Sequence, residues 1–150
     1  MSASVRETVL FVMYFSAFGY LLHLGWEYLQ CAPFFYHGEE NPTVASMLFA
    51  STGDVFMMFL VYATVALVKG SLRWFAADWN WKTFMLIAIP SVALALLVER
   101  VGLHIGRWKY TSVNPLIPGI EISILPILQM LFINPLTFYL SKITVSLFSK

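Results

Sequence analysis

Long apolar runs separated by short polar segments dominate the pattern of this chain. A helix needs about 20 residues to cross the roughly 30 Å hydrocarbon core of a bilayer. Four runs reach that length, and they predict transmembrane helices over residues 8–30, 46–68, 82–102 and 121–147. The connections between them are too short to hold another domain. We therefore predict an all-α integral membrane bundle of about four helices, with one transmembrane domain over residues 1–150.

The composition agrees with a bilayer environment and excludes several classes of protein. Of the 150 residues, 59% are hydrophobic and 11% are charged, whereas a soluble domain usually carries about 25% charged residues. The net charge of +1 provides no basic surface that would neutralise phosphates, so we expect no nucleic-acid partner. The single cysteine, Cys31, excludes an internal disulfide and a multi-cysteine metal site.

The distribution of lysine and arginine predicts the orientation, because cytoplasmic loops carry an excess of these residues. With the N-terminus inside, the inner set is Arg6, Lys69, Arg73, Lys82, Lys142 and Lys150, and the outer set is Arg100, Arg107 and Lys109. The larger inner set favours a protein of the cell membrane (plasma or inner membrane) with both termini in the cytoplasm.

The ionisable residues inside the predicted helices lie near one end of the bundle. His23 and Glu27 fall in the last two turns of the first helix, and Asp54 lies about 12 Å from the outer end of the second. Glu99 is near the end of the third helix, and Gln129 is two turns into the fourth. A carboxylate near mid-bilayer costs about 2.5–3.5 kcal/mol, so such groups normally face inward and have partners. We predict one polar pocket that opens outward.

Helical spacing supports a shared interior face. His23 and Glu27 are four residues apart, with Gln30 one turn further on, and Glu121 and Gln129 repeat this pattern in the fourth helix. Pro33 predicts that the first helix ends near Gln30. The loop over residues 106–119 should cover the pocket, because its charged and aromatic side chains are costly to leave in hydrocarbon.

Each of these residues also has a purely structural interpretation. His23 and Glu27 are consistent with a satisfied packing pair, and Gln129 with a hydrogen bond between helices. Trp108 and Tyr110 are consistent with interfacial anchors. The functional interpretation rests on the conjunction, since a structural bundle has no reason to gather these costs at one end.

Two carboxylates and an imidazole in a dry pocket suit proton chemistry. An apolar surrounding favours the protonated form of a carboxylic acid, which can then act as an acid toward an apolar substrate. We predict Glu27 as the acid, His23 as its partner, and Asp54 or Glu99 as a second acid or carbocation stabiliser. The predicted substrate contacts are Gln30, Arg100, Arg107, Trp108, Tyr110 and Gln129. The four catalytic candidates are also types that ligate metals, and the sequence leaves a metal or other cofactor open.

Several motifs resemble those of a group of small bacterial multi-pass membrane proteins. They are His23-Leu-Gly-Trp-Glu27, Gly53-Asp54, Glu99-Arg-Val-Gly102 and Gly106-Arg-Trp-Lys-Tyr110. That resemblance covers nearly the whole chain and implies an architecture and a set of motif residues, without an activity. The Gly-Trp-Glu27 element alone is similar to the Trp-Glu pair of multi-pass terpene cyclases, and small lycopene-cyclase subunits also combine short membrane bundles with acidic residues. This similarity implies protonation of an isoprenoid.

Three hypotheses about function follow. The first is proton transfer on a lipid or isoprenoid, as in a cyclase or isomerase. The second is a non-catalytic binding or transport component whose pocket holds a metal, a proton or a lipid headgroup. The third is a structural subunit that docks a membrane protein partner. Polar side chains that converge inside the bundle on a cavity favour the first two, and side chains that point outward favour the third.

Overall fold

Four α-helices make up most of the structure, a computed structural model that describes residues 3–37 and 40–148. The helices are α1 (Ala3–Phe34), α2 (Val44–Lys69), α3 (Trp81–His104) and α4 (Ile124–Phe148). Each is long and apolar enough to cross a membrane. α1 and α3 each pack against both α2 and α4, which gives a closed four-helix arrangement. The prediction of an all-α multi-pass membrane bundle is confirmed.

Local sequence signals set the ends of the helices. The Thr43 hydroxyl accepts from the backbone of Ser46, and the Ser46 hydroxyl accepts from the backbone of Thr43, so α2 begins with a capping box. Gly70 ends α2 with a φ of 63°, a left-handed conformation that glycine adopts without steric cost. The Asn80 side chain accepts from two backbone amides in the first turn of α3.

Residues three or four apart form a buried stripe on each helix. In α3 the buried residues are Thr83, Ile87, Ala88, Ser91, Ala95, Glu99 and Gly102. The other faces expose large apolar side chains such as Leu97 and Phe132, as surfaces in contact with lipid require. The stripes are mainly apolar toward the chain termini and polar toward the opposite end of the bundle.

An aromatic core fills the half of the bundle nearer the chain termini. The rings of Phe11 and Phe75 stack with centroids 3.8 Å apart, and those of Phe15 and Phe138 lie 4.7 Å apart. Phe75 belongs to a 3-10 turn between α2 and α3, Trp74–Ala76, which folds back into the bundle. Among the described residues, no ionisable side chain is buried in this half. It is therefore a dry, apolar floor beneath the polar end.

The end with the chain termini also carries most of the described cations. Arg6 donates to the backbone carbonyl of Phe148 at 3.2 Å, so both ends of the described chain meet there. Arg73 forms an ion pair with Glu7. Lys150, one of the predicted inner cations, lies outside the described residues. Termini on one side are the expected result of an even number of crossings.

Short strands and a loop cover the opposite end. Strand β1 (Phe35–Tyr36) pairs with β2 (Lys109–Tyr110), and β3 (Leu116–Ile117) pairs with β4 (Ile122–Ser123), both antiparallel. The Asn114 amide donates to the carbonyl of Phe34 at 2.8 Å, and the Thr111 hydroxyl donates to that of Pro33 at 2.9 Å. These bonds satisfy carbonyls that the last turn of α1 leaves open. The loop between α3 and α4 is thereby attached to the end of α1.

Three helix ends differ from the predicted spans by three residues or more. α1 begins at Ala3, five residues before the predicted start. α1 continues past Gln30 to Phe34 with Pro33 in its last turn, because the loop supplies donors to the carbonyls there. α4 begins at Ile124. Glu121 precedes it with a φ of 52° and is exposed, because the tight connection from β3 to β4 occupies this segment. Glu121 therefore does not share an interior helix face with Gln129.

Candidate functional site

The side-chain amide of Gln129 is the centre of a buried hydrogen-bond network that joins α1, α2 and α4. Its nitrogen lies 2.9 Å from Nδ1 of His23, 3.0 Å from Oδ2 of Asp54 and 3.2 Å from Oε1 of Glu27. Its oxygen accepts from the amide nitrogen of Gln30 at 2.9 Å. All five side chains are buried. The polar residues that the sequence placed at one end thus meet in a single cluster.

The other ring nitrogen of His23 indicates where the imidazole carries its hydrogen. Nε2 lies 3.2 Å from the side-chain oxygen of Asn134. The Asn134 amide donates to the Ser91 hydroxyl, which in turn donates to the carbonyl of Ile87. An amide oxygen can only accept, so Nε2 carries the hydrogen. In the neutral ring, Nδ1 is therefore an acceptor that faces Gln129.

Three acceptors then surround one amide group that has two hydrogens. They are Nδ1 of His23, Oδ2 of Asp54 and Oε1 of Glu27, and Glu27 also accepts at Oε1 from Gln30 at 2.8 Å. Nδ1 of His23 and Oδ2 of Asp54 are 3.5 Å apart. A proton on either of these two atoms would face the other as an acceptor. The geometry therefore has a place for one additional, exchangeable proton between His23 and Asp54.

The Glu27 carboxyl group receives donors on both oxygens. In addition to the amides at Oε1, the Cys31 thiol donates to Oε2 at 2.9 Å. Gln30 is itself held by the Trp26 indole, which donates to its oxygen at 2.8 Å. The predicted pairing of His23 with Glu27 is not a direct hydrogen bond, because the Gln129 amide bridges the two side chains. The carboxyl oxygen at 3.5 Å from His23 Nδ1 is that of Asp54.

A third carboxyl group, that of Glu99, is attached to the covering loop. It accepts from the hydroxyl of Tyr110, and that hydroxyl accepts from the backbone N–H of Ser123 at 3.1 Å. Burial, together with the neighbouring Glu99, raises the pKa of Tyr110 above its ordinary value. The phenol therefore stays protonated and holds Glu99 at the edge of the site.

A cavity of about 810 Å³ adjoins the network, within the range of roughly 300–1,000 Å³ that small-molecule sites occupy. Its polar lining residues include Glu27, Gln30, Asp54, Glu99 and Gln129. Its apolar lining residues include Phe35, Phe49, Phe56, Met57, Ala95, Val98, Trp108 and Met130. The three carboxyl groups thus border a space that is otherwise suited to an apolar molecule.

The rim of the cavity is formed by the loop after α3. The Arg107 guanidinium lies 5.2 Å from the ring centroid of Phe49 and 5.5 Å from that of Trp108. The Trp108 indole packs so closely on Gly102 that a Cβ there would lie 2.1 Å from it, so glycine is required at this contact. His37 also lines the rim, and burial, with a further effect of Arg107, lowers the pKa of His37.

The structure brings most of the predicted site residues together. Those that line the cavity are Glu27, Gln30, Asp54, Glu99, Arg107, Trp108 and Gln129. His23 lies behind Asp54 and Gln129, and Tyr110 contacts the cavity wall through Glu99. Arg100 is placed elsewhere: it is exposed and is not among the lining residues, because one residue along a helix turns a side chain by about 100° from its neighbour.

Sequence reasoning missed Asn134, Ser91 and Cys31. Asn134 had a usable signal, since an amide in the middle of an apolar span is costly unless it has a partner. Cys31 follows Glu27 by four residues, which places both on one helix face. Ser91 had no such signal, because serine is common at helix contacts in membranes.

The predicted alternative of a metal site receives no support from the geometry. In the described part of the chain, no group of three or more His, Cys, Asp or Glu side chains is arranged to hold a metal ion. The carboxyl oxygens of Glu27 already accept from amide and thiol donors, an arrangement that suits a proton-bearing network.

Comparison with known proteins assigns no family to this chain. No family model, no curated protein and no solved structure matches it. The resemblances to bacterial membrane proteins and to membrane cyclases therefore stay predictions. Because one fold can host many unrelated functions, function has to be inferred from the residues and geometry of the site.

Proposed function

We propose that this protein is an intramembrane proton-transfer site for an apolar molecule of the lipid or isoprenoid class. The observation that carries the proposal is the arrangement around Gln129: three acceptors share two amide hydrogens beside an apolar cavity of about 810 Å³. Such a cluster holds and releases a proton where water is scarce, which is the requirement for acid catalysis on a hydrocarbon.

In this proposal Glu27 is the acid that faces the ligand. Its O–H bond breaks as a C–H bond forms on one alkene carbon, which leaves a carbocation and a carboxylate. Loss of a proton from a neighbouring carbon to the same carboxylate completes an isomerisation. Glu99 stabilises the positive charge electrostatically. Asp54 and His23 accept from the Gln129 amide, which also donates to Glu27, and so help to position the acid.

The apolar floor of the bundle supports an occluded site rather than a channel. The hydrogen-bond chain from His23 through Asn134 and Ser91 ends at the backbone carbonyl of Ile87. Below it lies the aromatic core, which contains no buried ionisable group among the described residues. A carbocation-like species would be protected from water on that side.

Two alternatives remain as competing proposals. A binding or transport component would use the same cavity and retain a ligand without changing it. A structural subunit would present its polar residues to a partner, but these residues point inward to a shared cluster. The interior placement of these residues therefore favours a binding or transport component over a structural subunit as the main alternative to catalysis.

Deuterium exchange tests the proposal. Purified protein in nanodiscs is incubated with farnesol in D₂O, and the recovered farnesol is analysed by mass spectrometry. Reversible protonation of a double bond exchanges carbon-bound hydrogen, so we expect deuterium in the recovered alcohol with the wild type and none with empty nanodiscs. Retention of farnesol without exchange would favour the binding alternative instead.

We further propose that the protein lies in the cell membrane with both termini in the cytoplasm. The end that holds the termini also holds Arg6, Lys69, Arg73, Lys82 and Lys142, as the excess of inner positive charge requires. A reporter that fluoresces only in the cytoplasm, fused after residue 150, should be active. Activity of a phosphatase reporter that works only on the outer side would reverse the orientation.

A further inference from the structure

We propose that the ligand of this cavity is an amphiphile with a phosphate-type head, and that it enters sideways from the bilayer between α2 and α3. This rests on the proposed function in taking the cavity as the ligand site. Two observations carry it independently: where the cavity reaches the lipid-facing surface, and which cation lies at its rim.

The cavity opens on the side of the bundle, along α2. Its lining residues Phe49 and Phe56 are 66% and 64% exposed, and Gly53 between them is exposed as well. These positions form one stripe along the helix side, since they are four and three residues apart. Asp54 of α2 bonds to α4, and Glu99 of α3 bonds to the covering loop. Neither of these bonds joins α2 to α3, and of the four neighbouring helix pairs these two helices have the least extensive contact.

The depth of this opening suits a long apolar chain. Gly53 lies about 14 Å along α2 from its first residue, Val44, at about 1.5 Å per residue. That distance is about half of the roughly 30 Å hydrocarbon core. A lipid-dissolved chain would therefore enter the cavity without passing through water.

Arg107 supplies the cation at the rim. It lines the cavity, is exposed, and takes part in neither of the ion pairs in the described part of the chain. Its guanidinium lies over the rings of Phe49 and Trp108, which restricts the side chain near the opening. A guanidinium of this kind binds phosphate oxygens through paired N–H groups.

The charges also orient the ligand. The carboxyl group of Glu99, which accepts from Tyr110, disfavours an anionic head beside it, whereas Arg107 attracts that head to the rim. The apolar chain then extends from Arg107 toward Glu27 and Asp54. The group that meets the acid is therefore a part of the chain remote from the head, such as a distant double bond.

A pair of arginine variants tests whether the ligand has a phosphate-type head. Affinities of the protein in phosphatidylcholine nanodiscs are measured by native mass spectrometry for farnesyl phosphate, farnesol and inorganic phosphate. Arg107→Gln should weaken the affinity for farnesyl phosphate by about tenfold or more and leave the affinity for farnesol unchanged. Arg100→Gln is the matched control, since Arg100 is exposed near the same end and does not line the cavity; it should bind as the wild type. Equal losses in the two variants, or inorganic phosphate that binds as tightly as farnesyl phosphate, would overturn the assignment.

A pair of glycine variants tests whether the ligand enters between α2 and α3. A Cβ at Gly53 or at Gly25 meets no atom within 4 Å, and both are exposed helix positions, so both variants should fold. Gly53→Leu places a side chain in the opening and should slow association of farnesol and farnesyl phosphate by about tenfold. Gly25→Leu on α1 should associate at the wild-type rate. Wild-type association by Gly53→Leu would exclude the lateral route.

The outcomes separate this inference from the proposed function. If the Arg107 and Gly53 variants behave as expected but farnesol gains no deuterium, proton transfer fails and the ligand class and route hold. If deuterium is incorporated while both variants bind as the wild type, proton transfer holds, and the proposed ligand class and route fail. Hexadecyl phosphate as an added ligand distinguishes a straight-chain lipid, which would bind it as tightly as farnesyl phosphate, from an isoprenoid, which would bind it less tightly.

Discussion

Gln129→Leu should unfold at a lower temperature than any other single substitution in the polar cluster. The change removes contacts to four buried side chains: His23, Gln30, Glu27 and Asp54. Interhelical hydrogen bonds in membranes contribute about 0.6 kcal/mol each on average, and a buried polar group left without a partner costs about 1–3 kcal/mol. We expect a loss on the order of 3–5 kcal/mol and a midpoint lower by about 10 °C, measured by thermal unfolding in detergent.

The control for Gln129→Leu is a buried polar residue of the same end that joins no second helix. Ser51 is fully buried and its hydroxyl donates to the carbonyl of Met47 within α2. Ser51→Ala should change the free energy of unfolding by about 0.5–1 kcal/mol. If Gln129→Leu and Ser51→Ala unfold at the same temperature, Gln129 is not the centre of the network.

Glu27→Gln should separate catalysis from packing. Glutamine keeps an oxygen where Gln30 and Gln129 donate, and its new N–H group lies beside the Cys31 sulfur, a weak acceptor. We therefore expect the free energy of unfolding to stay within about 1 kcal/mol of the wild type. The titrating proton is lost, so deuterium incorporation into farnesol should fall to the level of empty nanodiscs.

The opposite result would identify Glu27 as a structural residue. If its charge mainly stabilises the bundle, Glu27→Gln should be destabilised by about 3–5 kcal/mol, as for a broken buried charge pair. If the destabilised Glu27→Gln protein still incorporates deuterium into farnesol, another group is the acid. Glu27→Leu is the matched control: it removes the bonds as well as the proton and should lose both stability and exchange.

The amino-acid sequence by itself determined the membrane class, the number of helices and the end of the bundle where the buried ionisable residues lie. The length of the apolar runs fixes four crossings, because each run can satisfy its backbone in hydrocarbon only as a helix. The spacing of His23 and Glu27 places both on one interior face, and the position of Asp54 along its helix gives its depth. These properties depend on local sequence, so no knowledge of neighbouring helices is needed.

Only the tertiary structure decided which polar groups are partners. The sequence predicted Glu27 as the partner of His23. In the structure Gln129 of α4 lies between those two side chains, and Asp54 is the carboxyl group 3.5 Å from His23. The position of Arg107 at the rim was likewise decided by the turn of the chain after Gly102, which accommodates Trp108. Hydrogen bonds are directional and short, so partner choice depends on how distant helices approach by a few ångströms, and periodicity along one chain does not contain that distance.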